Sequence, residues 1–222
     1  MQTNAQFTKE NAVRPPEAAQ PGLVSTLVQP FIRGLFGFLH QRMHIKLLTP
    51  AEIEAALPQL VALLQDAVDS GASVGFLPPV AAAAAGQFWR DVAMGVAAGH
   101  RVVLVAQDGL AGCILGTGQL VLATNPNALH RAEVAKVIVH RQARRRGIGQ
   151  QLLQALETEA VLRGRTTLVL DTRHGDPAEQ LYQRHGFQFL GAIPEYFLNN
   201  DGQLHATAVY YKLLGPAARP QE

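Results

Sequence analysis

Two spacings of apolar residues alternate along the chain, and their succession predicts a mixed α/β sheet protein. Residues 44–48, His-Ile-Lys-Leu-Leu, read as a first strand. Thr49-Pro50-Ala51-Glu52 reads as a helix entry: a capping threonine, a proline in the first turn and an acid inside it. One helix is expected from there to about Asp69, burying Leu57, Leu60, Leu63 and Leu64, and a second over residues 79–98, carrying Phe88, Trp89 and Val92. Residues 101–106 and 110–122 predict an antiparallel hairpin turning at Gln107-Asp108-Gly109. Val134, Val137, Ile138 and Val139 form a buried strand. Ile148, Leu152, Leu156 and Ala160 then recur about every four residues, an amphipathic helix closed by Gly164. Residues 166–170 predict a strand ending in Asp171-Thr172, and 177–185 a short helix stopped by Gly186. Residues 187–193 and 205–213 predict the last two strands. The expected order is β-α-α-β-β-β-α-β-α-β-β.

Residues 1–42 depart from this pattern. The first 22 are polar with Pro15, Pro16 and Pro21, the composition of a disordered arm. Residues 23–40 are apolar but interrupted by Pro30 and Arg33, too short for a membrane span and without the features of a secretory signal, so a short docking helix at 31–39 is the alternative. Met43, just before the first strand, is a candidate translation start. The expected organisation is an arm (1–42), one domain (43–215) and a tail (216–222).

Composition narrows the class. A chain of 222 residues, 48% hydrophobic, can bury one substantial core. A net charge of +2 with the basic residues clustered in one turn does not suit nucleic acid, which wants a basic face and stacking aromatics. The single cysteine, Cys113, suits a reducing cytoplasm, is expected in mid-strand, and has no paired base that would make it a nucleophile. Eight scattered histidines without ligand spacing suggest no metal site.

The candidate chemistry begins where the valine strand passes through Arg141-Gln142-Ala143-Arg144-Arg145-Arg146 into Gly147-Ile148-Gly149-Gln150. The first amides of a helix lack internal partners and carry partial positive charge, glycines admit close backbone approach, and arginines add full charges. Strand, glycine turn and helix start together make a pyrophosphate cradle. It is neither a Walker loop nor a dinucleotide fingerprint, since no Gly-Lys-Ser/Thr follows and the glycine order is wrong.

Arg144-x-x-Gly147-x-Gly149 after a V-x-V strand resembles the acetyl-coenzyme A signature of the GCN5-related N-acetyltransferases, abbreviated GNAT. The resemblance implies a mostly antiparallel central sheet flanked by helices. It implies acetyl-coenzyme A bound by Arg144, Arg145, Arg146, Gly147, Ile148, Gly149 and Gln150. The pantetheine arm would lie in a splayed gap against the amides of Val137 and Val139. A second segment, Ala178-x-x-Leu181-Tyr182-x-x-x-Gly186-Phe187, resembles the family's second helix and places Tyr182 beside the thioester sulfur as proton donor. The family often has Asn three residues before that alanine; this chain has Gly175, and Asp176 is the substitute.

Glu133 opens the central strand and Asp171 closes its neighbour, and both belong where parallel strands part. The plainer alternatives are a surface pair of Glu133 with Arg131 or Lys136, and Asp171 as a turn cap.

Residues 71–76 (GASVGF), 131–134 (RAEV), 170–172 (LDT) and 201–208 (DGQLHATA) look like the tabtoxin resistance acetyltransferases of plant-pathogenic pseudomonads, which acetylate the amine of a β-lactam amino acid toxin. That narrower resemblance covers most of 43–215 and none of the arm. It implies Glu133, Asp171 and Tyr182 as catalytic residues, and toxin or antibiotic resistance as the role. The expected amine side is residues 70–76 and 194–199, with Ser73, Phe76 and Tyr196 as substrate contacts. The sequence is therefore read as a cytoplasmic N-acetyltransferase moving acetyl directly to a small-molecule amine, without metal, nucleic acid or membrane partners, in a superfamily where homodimers are common. The rivals are a protein lysine or N-terminal acetyltransferase and a non-catalytic acyl-coenzyme A sensor.

Overall fold

The computed structural model describes residues 43–109 and 112–215; the expected arm, docking helix and tail lie outside them. Seven strands form one sheet: β1 (Met43–Leu47), β2 (Arg101–Asp108), β3 (Ile114–Leu122), β4 (Arg131–Val139), β5 (Thr167–Arg173), β6 (Gln188–Leu198) and β7 (Leu204–Leu213). Their order is β1-β2-β3-β4-β5-β7-β6, and every neighbouring pair is antiparallel except β4 and β5. Helices α1 (Pro50–Ala55), α2 (Leu57–Asp69), α3 (Ala82–Ala97), α4 (Ile148–Leu162) and α5 (Ala178–Arg184) flank it. This is the mixed, mostly antiparallel architecture expected, with one helix more.

The extra helix arises where a single one was expected from Thr49 to Asp69. Thr49 caps α1 as its chemistry suggests, in a reciprocal box with Glu52. Pro58 then cannot continue that helix: it has no N–H to give the carbonyl four residues back, and its ring would clash there. The chain breaks at Ala56 and restarts, with the proline in the first turn of α2. Similarly, α3 starts at Ala82 rather than residue 79. Its cap residue Ala81 is extended (φ −63°, ψ 136°), and just before it the Val80 carbonyl accepts from Gln65 Nε2 at 2.8 Å. The β2–β3 turn is longer than expected. Pairing runs past a bulge to Asp108, whose N–H donates to Cys113 O at 2.9 Å. Cys113 thus lies before β3, not in mid-strand.

Each sheet face carries its own core. One, under α4 and α5, gathers Leu120, Leu152, Leu153, Leu156, Leu168 and Tyr210. The other, under α1, α2 and α3, gathers Ile53, Leu60, Leu64, Trp89, Val103 and Val105. Trp89 is fully buried and its indole N–H donates to Leu60 O at 3.0 Å, so its polar atom is satisfied.

Gly116 on β3 is what lets α4 sit close to the sheet. A Cβ there would lie 2.8 Å from Ile138 O and 3.2 Å from both Ile148 Cγ2 and Leu152 Cδ1. Gly116→Ala should therefore cost about 1–3 kcal/mol of stability by overpacking against backbone. Urea unfolding followed by circular dichroism measures it, and an unchanged midpoint would mean the helix yields freely.

Candidate active site

The parallel ladder between β4 and β5 is short. It pairs Arg131 with Thr167, Ala132 with Leu168 and Glu133 with Val169, and then stops. Beyond that point β5 stays hydrogen-bonded to β7, while residues 134–139 of β4 keep only β3 as partner. A register shift against β3 falls between Thr117 and Gln119, opposite Ala135 to Ile138. Inside it Lys136 has φ +51°, a conformation costing a non-glycine residue about 1–2 kcal/mol. The bulge adds a residue and bends β4 away from β5, opening a wedge-shaped gap at the carboxyl ends of the two strands.

Strand alternation fixes which amides line the gap. His140 N–H donates to Leu115 O on the β3 side at 2.9 Å, so Val139 and Val137 present their N–H groups to the opposite edge. Those donors are free of strand partners and are suited to a carbonyl oxygen acquiring charge.

At the end of the gap the chain turns into α4. Gly147 is its cap residue, with φ +77°, and a Cβ there would meet nothing within 4 Å. The first ladder bond of α4 runs from Gln151 N–H to Gly147 O. The amides of Ile148, Gly149 and Gln150 therefore precede it, clustered at the positive end of the helix dipole. The Ile148 side chain is buried in the core, so only its backbone belongs to the cradle.

The four arginines of the turn divide into two pairs. Arg141 is tied to α2: its N–H donates to Asp66 Oδ2 at 2.9 Å and its Nε to Oδ1. Arg144 donates through Nε to Val139 O at 3.1 Å and also bonds the Ser70 hydroxyl. These two anchor the turn to α2 and to the loop following it. Arg145, at φ +64°, and Arg146 are exposed, with no hydrogen bond or ion pair among the described residues. Open amides, an unfilled glycine position and two uncommitted guanidinium groups fit the diphosphate of acetyl-coenzyme A.

The expected catalytic residues come to this gap from three elements. Glu133 is the last β4 residue still paired with β5, and it is exposed without an ion pair to Arg131 or Lys136. Asp171 lies two residues beyond Glu133's partner Val169, so the two acids share one sheet face. Its Oδ2 accepts from Thr207 Oγ1 of β7 at 2.8 Å. Tyr182 comes from α5 on the opposite face, 8% exposed, packed on Phe187 and Tyr210. Burial pushes its phenol well above the usual tyrosine range, with Asp176 and Asp171 adding to the rise, so it holds its proton at any working pH. Asp176 is engaged locally: Oδ2 accepts from Arg173 at 2.7 Å and Oδ1 from Ala178 N–H at 2.9 Å, at the start of α5.

On the Glu133 side of the sheet a pocket of about 230 Å³ lies between the α2–α3 loop and the far end of β6. Ser73 and Phe76 line it, with Phe197, Asn199 and Asn200 facing them. Tyr196 is not among the lining residues. It is 54% exposed, within the stretch where β6 loses register with β7 around Pro194 and Glu195. Asn199 falls at the end of the expected 194–199 stretch, whereas Asn200, Lys136 and the Asp66 clamp lie outside the expected site residues. A lysine inside an apolar strand run was the one visible signal. No group of His, Cys, Asp and Glu among the described residues could hold a metal ion.

Comparison with known proteins bears on the fold that carries this gap. Residues 99–189 match the family model described as the acetyltransferase (GNAT) domain. A ribosomal-protein-alanine N-acetyltransferase from Brucella melitensis superposes with a TM-score of 0.64 at 26% identity, over 77% of this chain and 99% of the other. An N-acetyltransferase from Staphylococcus aureus Mu50 gives 0.65 at 22% identity, over 78% and 99%. A phosphinothricin acetyltransferase from Sinorhizobium meliloti, solved in complex with acetyl-coenzyme A, gives 0.64 at 18% identity, over 81% and 92%. Residues 99–189 are thus similar to a GNAT acetyltransferase domain, and the sheet around them has the fold of solved acetyltransferases.

Two outcomes test the cradle and its anchor. Gly147→Glu should abolish coenzyme A binding measured by calorimetry while lowering the melting midpoint by only a few degrees, since the new side chain meets no neighbour and its cost is the strain of φ +77°, about 1–2 kcal/mol. Unchanged affinity would refute the site. The Asp66 carboxyl is raised by burial, but the backbone and side-chain hydrogen bonds from Arg141 outweigh this and hold it below its usual range. Its contribution to stability is thus complete above about pH 4 and is lost as pH falls through the lowered folded value. Asp66→Asn should flatten the acid limb of stability below about pH 4, read from urea midpoints as the pH is lowered.

Proposed function

We propose that the protein transfers acetyl from acetyl-coenzyme A directly to the amine of a small molecule, with an amino acid-like toxin or antibiotic as the acceptor class. The observation that carries this reading is the gap between β4 and β5, with two carboxylates on one face and a buried phenol on the other. Acetyl-coenzyme A supplies the activated acyl group when bound. Glu133 and Asp171, on the same sheet face as the small pocket, draw the acceptor ammonium and take its proton directly or through water. The amides of Val137 and Val139 donate to oxygen in the gap without having to break a strand bond. Tyr182 holds a proton at Oη on the opposite face, ready for the thiol side of the exchange. With no acetyl-enzyme step, both substrates must be held in line at once, which the through-sheet gap permits.

The pocket is smaller than the 300–1,000 Å³ or so that enclose drug-sized ligands, and this supports a compact acceptor over a protein chain. The name of the Brucella melitensis relative raises the rival of an N-terminal alanine on a protein. Free thiol release from acetyl-coenzyme A across amino acids, amine antibiotics and alanine-starting peptides separates the two. Selective turnover of peptides would replace the small-molecule reading. Tyr182→Phe should lower turnover at least about tenfold with coenzyme A affinity kept, because general acid catalysis typically contributes 10²–10⁴ and the packing is conserved. An unchanged turnover number would leave Tyr182 as core alone.

A further inference from the structure

Lys136 is the residue of the site that neither the cradle nor the proton chemistry uses. It sits in the β4 bulge in a backbone conformation that favours glycine, at the very point where β4 leaves β5. A strained backbone in a non-glycine residue beside a reaction gap signals a constraint other than packing. The bulge sends its side chain to the acceptor face. Nζ lies 3.6 Å from the position a Cβ on Gly75 would occupy and 6.0 Å from the Phe88 ring centroid. Gly75 is itself a lining residue of the 230 Å³ pocket. The ammonium is largely withdrawn from solvent, and burial pulls it below the usual lysine range. Among the described residues it makes no hydrogen bond and no ion pair, and its contact is the Phe88 ring.

The charged groups acting on it are Glu133 on its own strand, Arg101 from β2 and Asp171 from β5. These four balance: two carboxylates against an ammonium and a guanidinium. An acceptor bringing only an ammonium to Glu133 and Asp171 would leave the face with an excess positive charge and Lys136 facing it. An acceptor bringing one ammonium and one carboxylate preserves neutrality and fills the missing anion position. An aminoalkyl phosphate would overshoot towards negative charge.

We propose that Lys136 is the carboxylate-binding residue of the acceptor site, so that the acceptor is a zwitterion: an amino acid whose amine meets Glu133 and Asp171 while its carboxylate pairs with Nζ. The proposal rests on the small-molecule reading above and narrows its substrate class. It also gives the positive φ a purpose. A regular strand would alternate this side chain to the other face, and the extra residue of the bulge keeps it on the same side as Glu133.

The test uses the full chain and matched acceptors: a set of free amino acids, each paired with its carboxamide, assayed by thiol release. The parent protein should prefer the carboxylate member in kcat/KM by on the order of ten- to a hundredfold, the range for a hydrogen-bonded charge pair. Lys136→Met should reduce that ratio to about one through a rise in KM for the carboxylate member, and Lys136→Arg should restore most of it. Coenzyme A affinity by calorimetry and the melting midpoint report whether each variant folds. If Lys136→Met does not fold, Lys136→Gln with the same pairs replaces it. A parent with no carboxylate preference, or a variant that keeps it, overturns the lysine's role while acetyl transfer stands. A variant slowed equally on both members assigns Lys136 to tuning the acids instead, which also overturns it. Coenzyme A binding with no thiol release on any amine of the set, but release on peptides, sinks the small-molecule reading and this proposal with it.

Discussion

The site exists because β4 and β5 stop pairing after three residues. A parallel pair inside a sheet would ordinarily continue, satisfying its amides and excluding ligand. Here the two strands are held apart from opposite sides. β5 stays paired to β7 from Thr167 to Arg173, and the Lys136 bulge lies in β4 opposite β3. Neither strand can close the gap without breaking its own outer ladder. The amides of Val137 and Val139 stay open as a consequence of sheet topology, and α4 begins at the mouth of the same opening. One distortion therefore supplies both the oxygen-facing donors and the route to the diphosphate cradle.

The gap runs through the sheet, so its two faces can differ. The α4–α5 face is apolar and dry: Tyr182 is buried among Phe187 and Tyr210 and keeps its proton. The α2–α3 face is charged, with Glu133 and Asp171 exposed, Lys136 largely withdrawn beside them and a pocket under the loop. A proton taken on one face and returned on the other is the division of labour that direct transfer requires. The turn that joins them is not free to drift, because Arg141 and Arg144 bind it to Asp66 and Ser70 across from α4.

What could be read from the residues follows how local the signal is. The helix start at Gly147, the cap at Thr49 and the buried faces of α2 and α4 are written in neighbouring residues, and the structure places them there. The break at Pro58 is equally local, but the leucine spacing runs through it and hides it. The division of the arginines was not legible. Arg141 and Arg144 find their partners about 75 residues earlier in the chain, on α2 and the loop after it, and no spacing rule reaches that far. The bulge was hidden for the opposite reason. A strand of valines looks regular whether or not one residue is inserted, so Lys136 read only as a surface partner for Glu133.

The most direct test of the account is amide hydrogen exchange of β4 and the α4 start, with and without acetyl-coenzyme A. In the free protein Val137 and Val139 should exchange far faster than Ile138, whose edge is paired to β3. On binding, those two amides and the amides from Gly147 to Gln150 should slow together. Protection of Val137 and Val139 already present without ligand, or protection on binding that leaves both β4 and the α4 start untouched, would contradict the account.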